Sequence, residues 1–156
     1  MYPAAQGQQE TMFNHILLPT DGSKGSEKAI RKTLALAKTT GAKVTGFHVV
    51  PKFHVFTYRT EMLEDTREEY ARDSRAHAER YLAVIEKAAK QAGVSCETAY
   101  ATSDHPHEAI IQTAKRKRCD LIAMASHGRR GVRGLLLGSE TLKVLTHSKI
   151  PVLVYR

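Results

Sequence analysis

The sequence predicts a doubly wound α/β domain, a five-stranded parallel sheet with helices on both faces. Two observations lead there. Short apolar runs alternate along the chain with segments of helical periodicity. No tight hairpin signal joins one apolar run to the next, so each strand returns through a helix. Right-handed crossovers then cover both faces, and ligands of such folds sit beyond the carboxyl ends of the strands, where the strand order reverses. At 156 residues, without internal repeat or linker, the chain is the size of one domain.

HILLPTDGS, from His15, opens with a short apolar run and breaks at Pro19 and Gly22, as a buried strand entering a loop does. SEKAIRKTLALAKTTGA, from Ser26, sets Ile30, Leu34 and Ala37 on one face. A serine starts it and Gly41 stops it, the two end signals of a helix. KVTGFHVV is a second strand, closed by Pro51, and KFHVFTYRTEML (52–63) has no regular period and reads as a loop. A long helix follows from Glu64 to Gly93, with Tyr70, Tyr81, Leu82, Ile85 and Ala89 on its buried side. VSCETAYAT (94–102) is a third strand. HPHEAIIQTAKRKR (105–118) is a third helix, opened by Pro106, whose missing N–H costs nothing in a first turn. DLIAMAS (120–126), almost wholly apolar, is a central fourth strand. Beyond a glycine-rich loop, SETLKVLTHS (139–148) is a short helix and PVLVYR (151–156) the last strand. Residues 1–12, polar and aperiodic, read as a flexible tail ahead of a domain over 13–156.

Hydrophobic residues make up 42% of the chain and charged residues 26%, and the apolar runs are too short to span a bilayer. The N-terminus lacks the basic start and apolar centre of a signal peptide, which predicts a cytoplasmic protein. Cys96 and Cys119 fit no metal or redox spacing and read as small buried hydrophobes. His105 and His107 flank Pro106 without a third histidine or a cysteine nearby, so no metal site is predicted. His48 lies on an apolar strand and reads as a satisfied core histidine. The net charge of +8 raises nucleic acid as a partner. Its clearest run, KRKR (115–118), falls where a helix ends, a place the dipole favours for cations, and reads as a solvated helix end.

The loop ASHGRRGVRGLLLGSET (125–141) carries four glycines, three arginines and a histidine. It matches neither G-x-G-x-x-G nor G-x-x-x-x-G-K-[ST]; Gly128 is followed by nine residues and then by Gly138–Ser139. Glycines let a backbone approach closely, and free N–H groups at a helix start beside a serine hydroxyl make an anion site. A capped glycine-rich turn without ligand has the same composition. The dipole contributes about 0.3–1 kcal/mol and at most ~2, whereas micromolar binding needs about 8 kcal/mol; a base pocket must supply much of the rest.

From Phe13 to Arg156 the chain resembles the universal stress protein family, through ILLPTDGSKGSEKAI, FHVV, LIAMASHGRRGVRGLLLGS and PVLVYR. The resemblance implies the adenine nucleotide alpha hydrolase-like fold with strand order 3-2-1-4-5. It also implies ATP or another adenine nucleotide as ligand, with magnesium as its counter-ion. The family's ATP-binding members carry G-x-x-G, nine residues, then G-[ST]; here the first position is Ala125, whose methyl crowds a ligand touching the main chain. Carried over by position, Pro19, Thr20 and Asp21 face adenine and ribose, and Val49 meets adenine through its backbone. Met124, Ala125 and Gly128 lie along the nucleoside and first phosphates. Gly138, Ser139, Glu140 and Thr141 offer donors to the phosphate tail, provided the Glu140 carboxylate points away from it. His127 and Arg129, with Arg130, sit where they could meet phosphate. Read alone, Asp21 is equally a loop-forming residue and His127 equally structural.

No nucleophile–base arrangement is legible; Ser126 beside His127 is not a triad, and the G-x-S-x-G elbow is absent. A nucleotide-binding regulator is therefore expected rather than an enzyme, with slow ATP hydrolysis at most. The apolar last strand, at a sheet edge, predicts a homodimer through residues 151–156, as the resemblance also implies. Two further classes stand beside this reading: a dimeric interaction protein of the same family without nucleotide, and a basic nucleic-acid-associated protein.

Overall fold

Five parallel strands in the order β3-β2-β1-β4-β5 form the sheet of a computed structural model that describes residues 12–54, 61–128 and 137–156. The strands are β1 (His15–Pro19), β2 (Lys43–Val50), β3 (Cys96–Thr102), β4 (Leu121–Ala125) and β5 (Val152–Tyr155). Between them run α1 (Lys24–Thr40), α2 (Glu61–Ala92), α3 (Pro106–Arg116) and α4 (Ser139–His147). The doubly wound expectation and its strand order hold. Most of the N-terminal tail, together with Arg129 and Arg130, lies outside the described residues.

Alternation along the central strands divides the core into two layers. Ile16, Leu18 and Val44 face α1 and α2, packing on Ile30, Leu34, Leu82 and Ile85. Leu17, Phe47, Ile122 and Met124 face α3 and α4, packing on Ile110, Ala114 and Val144. Ile85 is fully buried, worth about 1.5–3 kcal/mol. It reaches the sheet because Gly46 lies beneath it; a Cβ there would stand 2.9 Å from Ile85 Cδ1.

Two boundaries differ from expectation. Ser23, not Ser26, caps α1: its backbone is extended and its hydroxyl accepts from Ser26 N–H at 3.1 Å. The long helix begins at Glu61, taking Met62 and Leu63 from the predicted loop, since these are good helix formers that lack a period of their own. Tyr70 and Tyr81 are only half-buried; Tyr70 donates its hydroxyl to the Pro51 carbonyl at 2.7 Å.

Three helices end in a left-handed residue. Gly41 (φ 73°) and Gly93 (φ 71°) follow α1 and α2, but Arg118 (φ 56°) follows α3. Around it Cys119 N–H reaches the Ala114 carbonyl at 2.8 Å and Arg118 N–H the Lys115 carbonyl at 3.1 Å, a Schellman ending. The KRKR run is thus a helix end, with Lys117 paired to Glu97 at 3.3 Å.

At the amino ends of the strands a polar network replaces hairpin turns. The Asp120 carboxylate accepts Asn14 N–H at 2.8 Å and His15 N–H at 2.9 Å. His15, buried, meets Thr45 Oγ1 through Nε2 at 2.7 Å, and Thr45 Oγ1 donates to Glu97 Oε1 at 2.9 Å. Burial, and then Lys43, push the His15 ring below its ordinary value, against the pull of Glu97 and Asp120. Burial would raise the Asp120 carboxyl, but the His15 and Asn14 amides outweigh it and hold it low. Burial raises the Cys119 thiol to about 12, which keeps it inert.

Arg118→Gly is expected to stabilise the fold. Relief of a left-handed arginine is worth about 1–2 kcal/mol and the extra chain entropy of glycine costs about 0.4–1. A net gain of about 0.5–1 kcal/mol should move the urea midpoint without changing the slope. The lowered His15 ring binds fewer protons folded than unfolded, so its contribution is full above the ordinary histidine range and is lost as pH falls through and below it. Unfolding free energy should therefore fall between pH 7 and 5, and less steeply in His15→Gln.

Candidate functional site

β1 sits between β2 and β4, and its two neighbours continue into loops after β1 has ended. The β1–β4 ladder contains only the pairs Ile16–Leu121 and Leu17–Ile122. Beyond it the chain turns from β1 to α1 on one face and from β4 to α4 on the other, which opens a crevice at the carboxyl edge.

Pro19 closes β1 opposite Phe47. Thr20, buried, keeps the strand direction for one more bond, its N–H donating to the Phe47 carbonyl at 2.8 Å. His48 Nδ1 donates to the Thr20 carbonyl at 2.8 Å, and its ring meets Tyr81 edge-on at 5.1 Å; the ring is partnered as expected, but half-buried at the strand end and not in the core. The Val50 carbonyl accepts Ser103 N–H on the β3 side. Main-chain groups alternate along a strand, so the Val49 N–H and C=O face the β1 side, past the last β1–β2 pair.

Asp21 does two things. Its Oδ1 accepts Ser23 N–H at 2.9 Å and Ser26 Oγ–H at 2.7 Å, which organises the start of α1. Its Oδ2 fills the space that a Cβ on Gly128 would need. The loop-forming reading of Asp21 is therefore realised, and the same carboxylate also lies against Gly128. Gly22 (φ 74°) turns the chain under Tyr81, whose ring a Cβ there would strike.

On the other wall, Met124 and Ala125 are buried at the end of β4. The Ala125 methyl points to α1, where a Cβ built on Gly25 would lie 3.6 Å from it. Gly25 is a residue the sequence reading missed; its signal is a glycine in the first turn of a helix, where propensity disfavours it. Ser126 Oγ and His127 Nδ1 are 3.0 Å apart. His127 Nε2 is buried without a hydrogen-bond partner among the described residues. Arg129 lies outside them.

Gly138 N–H donates to the Ser126 carbonyl at 2.7 Å, and buried Thr141 donates its hydroxyl to the Ala125 carbonyl at 3.0 Å. Both bonds pin the first turn of α4 to the end of β4. That helix has no side-chain cap, and Ser139 is exposed in its first turn. Glu140 is turned away: its carboxylate accepts from His107 N–H at 2.9 Å, His107 Nδ1 at 3.2 Å and Lys143 Nζ at 3.0 Å. Burial would raise its carboxyl, but these donors hold it below the usual range.

Pro19, Thr20, Asp21, Val49, Met124, Ala125, His127, Gly128, Gly138, Ser139, Glu140 and Thr141 thus belong to the elements around one crevice. The Glu140 side chain leaves it and the Thr141 hydroxyl is spent on structure. A separate cleft of about 320 Å³ adjoins it on the α1–α2 face, lined by Thr20, Gly22, Ile30, Tyr81 and Val84, with Glu27 and Arg80. None of the described glycine-loop residues lines it. Among the described residues no group of three or more His, Cys, Asp or Glu side chains could hold a metal ion.

The chain matches the family model for the Universal stress protein family over residues 12–156. It is 34% identical over 149 residues to Universal stress protein YxiE of Bacillus subtilis, covering 93% of this chain and 100% of that one. In structure it is similar to MJ0577 of Methanocaldococcus jannaschii, with a TM-score of 0.79 at 29% identity, over 92% of this chain and 95% of that one. A universal stress protein in complex with cAMP shares the fold at TM-score 0.67 and 24% identity, over 92% and 97% of the two chains. Solved chains of the same fold also carry AMP and dAMP.

Gly128→Ala is expected to destabilise the fold by about 1–3 kcal/mol through overpacking against Asp21. Asp21→Ala should relieve part of that cost, so urea denaturation of the double variant should show less than the sum of the single losses.

Proposed function

The chain belongs to the universal stress protein family, and we propose that it is a cytoplasmic regulator that binds ATP, or a related adenine nucleotide, in the crevice between β1 and β4. The observation that carries this reading is the meeting of the Asp21 loop with Gly128 beside the uncapped start of α4. Adenine would be read by the Val49 main chain, with the ribose near Asp21. The phosphates would lie along Gly128 to the first-turn amides of α4, where Ser139 and Glu140 contribute backbone donors; the Gly138 N–H is engaged by the Ser126 carbonyl, and its lack of a side chain leaves the approach open. His127 Nε2, buried without a protein partner among the described residues, is a further donor within the same loop. The adenine nucleotides held by proteins of this fold support the ligand class. Magnesium would enter as counter-ion of the nucleotide, since the Glu140 carboxylate is already engaged by His107 and Lys143.

The protein would act as a homodimer through β5. All four β5 residues are half-exposed, and Leu142 and Leu145 of α4 present further apolar surface beside it. Pairing two such edges about a twofold axis satisfies both rows of main-chain groups. No described helix is long and apolar enough to cross a membrane.

Titration of the purified protein with ATP, ADP, AMP and cAMP, with and without magnesium, should show saturable binding. In Gly138→Val it should be lost while the circular dichroism spectrum is kept, because a Cβ at 138 already stands 3.3 Å from the Ser126 carbonyl. Undiminished ATP affinity in that variant would place the ligand elsewhere. Sedimentation equilibrium at micromolar concentration should give a dimer, and Val154→Lys should shift it to monomer.

A further inference from the structure

We propose that His107 is a positioning residue for the phosphate end of the crevice, holding the Glu140 carboxylate away from the start of α4 and so keeping that start open to an anion. This rests on the adenine-nucleotide reading above. A glutamate in the first turn of a helix ordinarily supports the positive end of its own helix. Glu140 instead serves α3. The α3 cap residue, His105, makes no side-chain cap bond and Pro106 follows it, so the next N–H, that of His107, is an orphan donor. Glu140 Oε2 satisfies it at 2.9 Å and takes a second bond from His107 Nδ1 at 3.2 Å.

The helix that carries this carboxylate is left without a cap, since Gly138 has no side chain to supply one. One acidic group thus caps the neighbouring helix, and the vacated end faces the crevice. The geometry depends on the His107 ring. It is only 13% exposed, with the His147 ring at 5.8 Å and the His105 ring at 6.4 Å. Glu108 lies 4.0 Å from its Nε2, and Lys143 holds the other oxygen of Glu140. Without the ring donor, one main-chain bond and an exposed lysine are left to restrain the carboxylate. It can then turn to the first-turn amides of α4, where it competes with phosphate and repels it.

The test compares ATP with adenosine by calorimetric titration of full-length protein. His107→Leu should weaken ATP about five- to tenfold, the scale of one charge at a helix end, and leave adenosine affinity unchanged. His107→Asn, whose amide reaches the Nδ1 position, should restore ATP binding. Adding Glu140→Gln to His107→Leu should restore it too, because the neutral amide no longer opposes phosphate. Equal losses for ATP and adenosine, unaltered ATP affinity in His107→Leu, or a loss that Glu140→Gln does not relieve would each overturn the proposal. A wild-type protein that binds no adenine nucleotide would instead strike the reading of the crevice itself, and this inference with it.

Discussion

Parallel strands whose outgoing loops lead to opposite faces leave an opening between them, and in this sheet that happens between β1 and β4. The ladder there stops after Leu17–Ile122, while β4 runs on to Ala125 and β1 bends away through Pro19 and Thr20. Main-chain groups at the carboxyl edge must then find partners outside the ladder. Thr20 does so with Phe47, and Ser126 with Gly138. Val49 faces the opening itself. The contact between Asp21 and Gly128 follows from the same divergence, since the two loops leave adjacent strands in the same direction.

Much of the side-chain chemistry around the opening maintains the backbone. Asp21 organises the start of α1, Thr141 ties α4 to β4, and His48 props the Thr20 carbonyl. What remains for recognition is largely N–H and C=O groups, with the His127 ring beside them. On the proposed reading, such a surface would meet charge and the edge of a base through its main chain. Glu140 adds to this by direction alone: its carboxylate is bonded to His107 and Lys143 instead of to the start of its own helix.

The opposite edge of the sheet meets a different demand. Strands joined by helices have no hairpins to align their beginnings, so side chains do it. Asp120 gathers the amides of Asn14 and His15, and the His15–Thr45–Glu97–Lys117 chain crosses three strands to α3.

Element type and order were legible in the sequence because they depend on local pattern: helical spacing at Ile30, Leu34 and Ala37, apolar runs at 15–19 and 121–125, and glycine at the end of α1. The crevice was legible in outline, since both of its loops break strands with glycine, and the family resemblance supplied the positions proposed to face a nucleotide. Local pattern could not tell Ser23 from Ser26 as the cap, because either hydroxyl precedes a helical run and only the extended backbone at Ser23 separates them. Nor could it show that Arg118 takes a left-handed conformation, that the Ala125 methyl points to Gly25, or that Glu140 caps α3. The first is a local helix ending that no glycine marks; the other two join residues distant in the chain, and they exist only once β4, α1, α3 and α4 have been packed into one frame. Periodicity determines which residues turn inward; the three-dimensional packing decides whom they meet.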